Sequence, residues 1–180
     1  MTPPSRRGAI ALLMFTLFST ACRSMTPSEL AATKPAFDPL QYFDGATHSW
    51  GVIENRRGNP VSQFNADLTG RRAGDELTIE QRFTFENDRR ETRHWRIRRF
   101  GPNRYEATAN DVVGVSKGEA RGNTFHWSYV VEGERAGFID DLRYELWMYL
   151  MDDGQTLINR VTITKFGIVV ARTTERFRRD

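Results

Sequence analysis

The side chains of this sequence whose types could do acid, base or metal chemistry are three histidines, two pairs of adjacent aspartates and an arginine-rich segment. His48, His94 and His126 lie on separate segments, none at HxH or HExxH spacing, and no cysteine joins them, so they define no zinc-type site. Asp152 and Asp153 stand in DDGQ, and Asp140 and Asp141 stand before another apolar run. Paired carboxylates can share general acid and base roles, but on a hairpin turn aspartate bonds its own backbone and serves the turn. The sequence contains no GxSxG nucleophile elbow and no glycine-rich phosphate loop; the glycines of GEARGN suit a bulge or hairpin. Arg93, Arg96, Arg98 and Arg99 surround Trp95 and could meet anionic headgroups, although a solvated strand face paired with neighbouring glutamates is the preferred reading. No catalytic residue, metal or cofactor is assigned.

Cys22 is the only cysteine, so the chain forms no internal disulfide. It follows a basic start with Arg6 and Arg7, a ten-residue apolar run (AIALLMFTLF) and the small residues Ser19, Thr20 and Ala21, the order of a secretory signal peptide. The run is about half of the ~20 residues a membrane-spanning helix needs. STAC resembles a bacterial lipobox cleaved before Cys22, with Ser19 where leucine is usual. The resemblance implies an acylated Cys22, and two or more acyl chains anchor a protein stably. Arg23, rather than aspartate, after the cysteine implies sorting to the outer membrane of a two-membrane envelope, with the domain facing the periplasm. An ordinary secreted protein with a free thiol is the alternative.

Residues 1–21 are therefore expected to be removed, 22–36 to form an acylated cysteine and flexible tether, and 37–180 to fold. The tether, RSMTPSELAATKPA after Cys22, has two prolines and few large apolar residues; extended, it could reach ~45 Å. The chain of 180 residues carries 26 Lys+Arg against 23 Asp+Glu, a net +3, and loss of Arg6 and Arg7 leaves +1. That excludes a dedicated nucleic-acid binder, because no sustained field remains to attract phosphate. With 39% apolar and 27% charged residues, the chain has a globular composition, and the part after the tether is read as one domain and a monomer.

The elements that position these side chains are strands. LTIEQRFTF places Leu77, Ile79, Phe83 and Phe85 on one face, with only Gln81 interrupting it; TFHWSYVVE and LRYELWMYL repeat the period of two. VSQFNADLT, TRHWRIRRF, RYEATAN, TLINRVTIT, IVVARTTERF, SWGVIE and VGVSKGEA are further strands, separated by Gly, Asn and Asp turns. About ten strands joined by short turns predict an all-β fold: an antiparallel up-and-down barrel of 8–10 strands, closed to remove its edges, with a β-sandwich as the alternative.

A small barrel is either filled or left open for one ligand, and polarity on its inner face distinguishes the cases, because a buried polar group needs a partner. Gln81, Tyr129, Tyr144, Asn159 and Arg172 are the polar residues on otherwise apolar faces, flanked by Trp95, Trp127 and Met148; these eight are the candidate ligand-binding set. His94 and His126 alternate with Trp95 and Trp127 and should point outward.

FDPLQYFDG at 37–45, Trp50-Gly51, DVVG at 111–114, GEARGN at 118–123, WMYLMDD at 147–153, LINR at 157–160 and KFG at 165–167 together resemble the DUF3833 family of bacterial proteins, often lipoproteins. The resemblance implies a lipocalin-like (calycin-type) barrel whose genes often neighbour those for fatty-acyl modification, and it supplies no active site. In FDPLQYFDG, Phe37, Leu40, Tyr42 and Phe43 are expected to plug one end of the barrel. Three readings stay open: a membrane-tethered carrier of a fatty-acyl or other lipid-like ligand, a packed barrel presenting a surface to an envelope partner, and an enzyme acting on modified lipids.

Overall fold

Alternating burial runs through ten strands: β1 (Gly45–Asn55), β2 (Pro60–Ala73), β3 (Glu76–Phe85), β4 (Arg90–Gly101), β5 (Arg104–Ala109), β6 (Ser116–Arg121), β7 (Thr124–Val131), β8 (Leu142–Leu150), β9 (Thr156–Lys165) and β10 (Ile168–Arg179). The structure, a computed structural model, describes residues 26–133 and 141–180. The signal peptide, Cys22 and Asp140 lie outside the described residues. Each strand pairs antiparallel with the next, and β1 closes the ring on β10, with Trp50 opposite Arg176 on one side and Asn65 on the other. The sheet is thus a closed up-and-down barrel, which leaves no edge strand to pair with another chain. The sandwich alternative is not realised. All ten expected strands are present, and among the described residues the only helical pieces are a 3-10 turn, Pro27–Leu30, and a one-turn helix α1, Pro39–Tyr42.

Alternation turns one set of side chains inward. Leu77, Ile79, Trp95, Ile97, Phe125, Trp127, Leu146, Leu157, Val161 and Phe177 belong to a single buried cluster. At one end that cluster is capped by the segment before β1, as its composition leads one to expect. Asp38 caps α1 by accepting from Leu40 N–H at 3.0 Å, and Pro39 starts the helix where no N–H is needed. The same carboxylate accepts from Arg99 Nη2 at 2.6 Å and Tyr105 OH at 3.2 Å, tying the helix to β4 and β5. Phe37, Leu40, Tyr42 and Phe43 are all buried; Phe43 packs edge-on against Phe177 at 5.5 Å and Phe37 against Phe125 at 6.1 Å. Full burial of such side chains stabilises by about 1.5–3 kcal/mol each.

The plug lies so close to β2 that only glycine fits at Gly70, where a Cβ would fall 1.6 Å from the Phe43 carbonyl oxygen. Because that atom is backbone, a Gly70→Ala substitution must push the plug outward. Overpacking of this kind costs about 1–3 kcal/mol, and thermal unfolding combined with proteolysis before β1 should register both the loss and its place.

Two differences from the sequence reading concern the ends of elements. The segment read as a free tether is partly docked: Thr33 Oγ1 donates to Asn123 Oδ1 at 2.7 Å and accepts from Asn123 N–H at 3.0 Å, and Phe37 N–H reaches Gly122 O at 2.7 Å. The folded unit therefore begins before Phe37. In β10, Val169 faces Thr164 whereas Ala171 faces Ile163, so Val170 is an extra residue that reverses the alternation.

Candidate functional site

The bulge at Val170 decides what β10 sends into the barrel. Beyond it Thr173, Glu175 and Phe177 are buried, and Arg172 is exposed on the outer face. The assignment of Arg172 to the inner face is thus corrected: extending the alternation from Ile168 and Val170 is out of phase by one residue. Glu175 takes the inward place instead, 5% exposed.

A cavity of about 190 Å³ runs from Pro39 and Phe43 of the plug to Ile53, Phe64, Phe83 and Phe85 toward the opposite end. Its wall brings together Gln81, Trp95, Trp127, Tyr129, Tyr144, Met148 and Asn159, seven of the eight residues selected from the sequence. Their packing is aromatic. Trp95 meets Trp127 and Tyr129 edge-on at 5.3 and 5.2 Å, and Tyr129 stacks on Tyr144 at 5.3 Å with 8° between the rings. Gln81 is held by a bond from Trp95 Nε1 at 3.3 Å, while Trp127 Nε1 is buried without a partner.

Two charged groups on this wall, Arg93 and Glu175, are absent from the set selected by sequence. Arg93 groups there with Arg96, Arg98 and Arg99 as a solvated face, but it shares the parity of Trp95 and points inward; Arg99 also turns in, toward the plug. Arg96 and Arg98 are exposed, and Arg98 pairs with Glu106. Arg93 forks onto Asp111, with Nε at 2.9 and 2.8 Å and Nη2 at 2.5 Å, and its Nη1 reaches Tyr129 OH at 3.3 Å. The parity with Trp95 was available as a signal, whereas Asp111, in the connection from β5 to β6, had none.

Glu175 is the second group. Its Oε2 accepts from Asn159 Nδ2 at 3.2 Å and its Oε1 has no partner. Burial pushes its carboxyl up from 4.5 to about 7, against the opposing influence of Ser49, Asn159 and Arg93. Burial likewise holds the Tyr129 and Tyr144 phenols above their ordinary range, so both remain neutral hydroxyls. Asn159 Oδ1 and the hydroxyls of Thr47 and Ser49 on β1 are also buried and unpartnered.

The remaining candidates lie elsewhere. His48 bonds Asp67 at 2.6 Å, His126 lies on Trp147 at 4.3 Å and 3.1 Å from Glu145, and His94 is exposed. Among the described residues no group of three or more His, Cys, Asp or Glu is arranged to hold a metal ion. Asp153 closes its turn by accepting from Thr156 N–H at 2.8 Å and Gln155 N–H at 3.0 Å, and Asp141 accepts from Gly133 N–H at 3.1 Å.

A ten-stranded, lipocalin-like barrel plugged at one end and hollow toward the other is the class of protein that these features define. The chain belongs to the DUF3833 family, described as a protein of unknown function, which it matches over residues 16–179. No protein of curated function matches it by sequence. Among solved structures it is similar to an S-type phycobiliprotein lyase, CPES, from Guillardia theta, at 11% identity and a TM-score of 0.59, covering 78% of this chain and 90% of that one. A de novo designed fluorescence-activating β-barrel aligns at 14% identity and a TM-score of 0.43, covering 80% and 99%.

Proposed function

We propose that this protein is an acylated lipoprotein of the bacterial outer membrane whose barrel, facing the periplasm, binds or carries an apolar, fatty-acyl or lipid-like ligand. The observation that carries the reading is the aromatic-walled cavity with its own unpartnered polar atoms. Ligand sites are concave, mostly apolar and supplied with a few convergent polar groups, and this one has that composition. Its volume of about 190 Å³ is below the roughly 300–1,000 Å³ of sites for drug-sized molecules, so it suits a compact molecule or one segment of a chain.

Acylation at Cys22 would also orient the barrel. The 3-10 turn Pro27–Leu30 already packs on β6 and β7, and Thr33 on Asn123, at the plugged end, so the stretch from Cys22 to the first docked residue, Pro27, spans at most about 18 Å. That is shorter than the ~25–30 Å length of such a barrel wall, so the plug would face the anchoring bilayer and the mouth would face away.

Native mass spectrometry of the full chain purified from a two-membrane bacterium, followed by solvent extraction, tests the ligand. A stoichiometric apolar adduct is expected; a bare mass together with no uptake of an apolar fluorescent probe would overturn the reading. Cys22→Ala should leave the chain unacylated and extractable without detergent, and unchanged retention in the membrane would remove the anchor.

A further inference from the structure

The charges inside the barrel do not balance. Arg93 is matched by Asp111, which takes three contacts from its guanidinium. Glu175, by contrast, accepts from the Asn159 amide and has the Ser49 hydroxyl beside it, and among the described residues no cationic side chain is hydrogen-bonded to it. Its Oε1 and the carbonyl oxygen of Asn159 are both unpartnered acceptors, and the neighbouring Ser49 hydroxyl has a single proton to offer them. The deficit at this spot is therefore one of donors. Aromatic rings surround the same space, and their faces attract cations.

Three ligand head groups can be weighed against this arrangement. A carboxylate would face Glu175 as a like charge. A hydroxyl brings a single donor, whereas a protonated amine brings three donors and the opposite charge. Resting on the ligand-binding reading above, we propose that the cavity selects an apolar amine: its ammonium seats at Glu175 and Asn159, its body lies between Trp95, Trp127, Tyr129 and Tyr144, and its tail points to the mouth. The other charged or titratable groups facing Glu175 are Arg93 of β4, already neutralised by Asp111, and Tyr129 of β7, a neutral phenol.

The test uses the full chain in lipid nanodiscs, titrated with phenethylamine, phenethyl alcohol and hydrocinnamate, three probes with a similar aromatic body and different heads. Fluorescence of Trp95 and Trp127 reports occupancy, with empty nanodiscs as the control for partition. The amine should bind about tenfold or more tighter than the alcohol, with the carboxylate weakest. Its advantage should grow between about pH 6 and about pH 8 as Glu175 ionises. Glu175→Gln should abolish the preference, bringing amine and alcohol to comparable affinity; the pH series on the unaltered chain stands independently of that variant. Equal binding of amine and alcohol, tightest binding of the carboxylate, or a preference that survives Glu175→Gln would overturn the amine assignment while leaving the cavity a ligand site. Binding of none of the three would overturn both.

Discussion

Replacing Asp111 with alanine should cost about 3–5 kcal/mol of folding stability, because it strands the Arg93 guanidinium inside the barrel mouth. The pair is well shielded, with side chains 16% and 17% exposed, and its bonds run from 2.5 to 2.9 Å. Loss of a surface pair would cost far less, about 0–1 kcal/mol, so the size of the effect reports how dry the mouth is. Replacing both partners with apolar residues, Arg93→Met with Asp111→Leu, should recover most of the loss, because no charge is then left unpaired. Urea unfolding of the two variants and the parent decides the matter: a single variant within about 1 kcal/mol of the parent would place the pair in solvent.

The second large effect is a dependence of stability on pH. The folded-state pKa of Glu175 is raised from 4.5 to about 7, so between those values the native chain holds a proton that the unfolded chain releases. The contribution of Glu175 to stability should therefore be fully present below the unfolded value, fall as pH rises through the window, and level off above the folded value. A shift of that size corresponds to about 3 kcal/mol over the whole window. Glu175→Gln removes the titration, so the variant should lack this contribution to the slope and be more stable than the parent at about pH 8. Urea midpoints at about pH 5 and about pH 8 for both chains isolate the contribution, and parallel slopes would mean that Glu175 is already solvated. An amine ligand should offset the loss at high pH, since a molecule that binds only the native state stabilises it by mass action.

Local pattern accounts for much of this protein. Each of the ten strands carries a period of two and is bounded by Gly, Asn or Asp turns, which is sufficient to specify its existence and, in most, its inner face. The same parity selected Trp95, Trp127, Tyr129, Met148 and Asn159 for the cavity, and the residue types of FDPLQYFDG indicated a plug. What parity does not carry is a change of phase or a partner distant in the chain. The bulge at Val170 exchanged Arg172 for Glu175, because one extra residue rotates everything after it to the other face.

The Arg93–Asp111 pair needed the barrel itself. Its members come from β4 and the connection after β5, and a polar residue in a loop has no period to reveal its direction. The docking of Thr33 on Asn123 is similar, a contact between residues 90 positions apart. By itself the sequence determined the strands, the all-β class and most of the cavity wall, because these follow from alternation between neighbours, whereas closure into a barrel rather than a sandwich was decided by the pairing of β1 with β10. Only the tertiary structure decided which charges are buried, which are paired and where the tether ends, because each depends on atoms brought together by closure of the sheet.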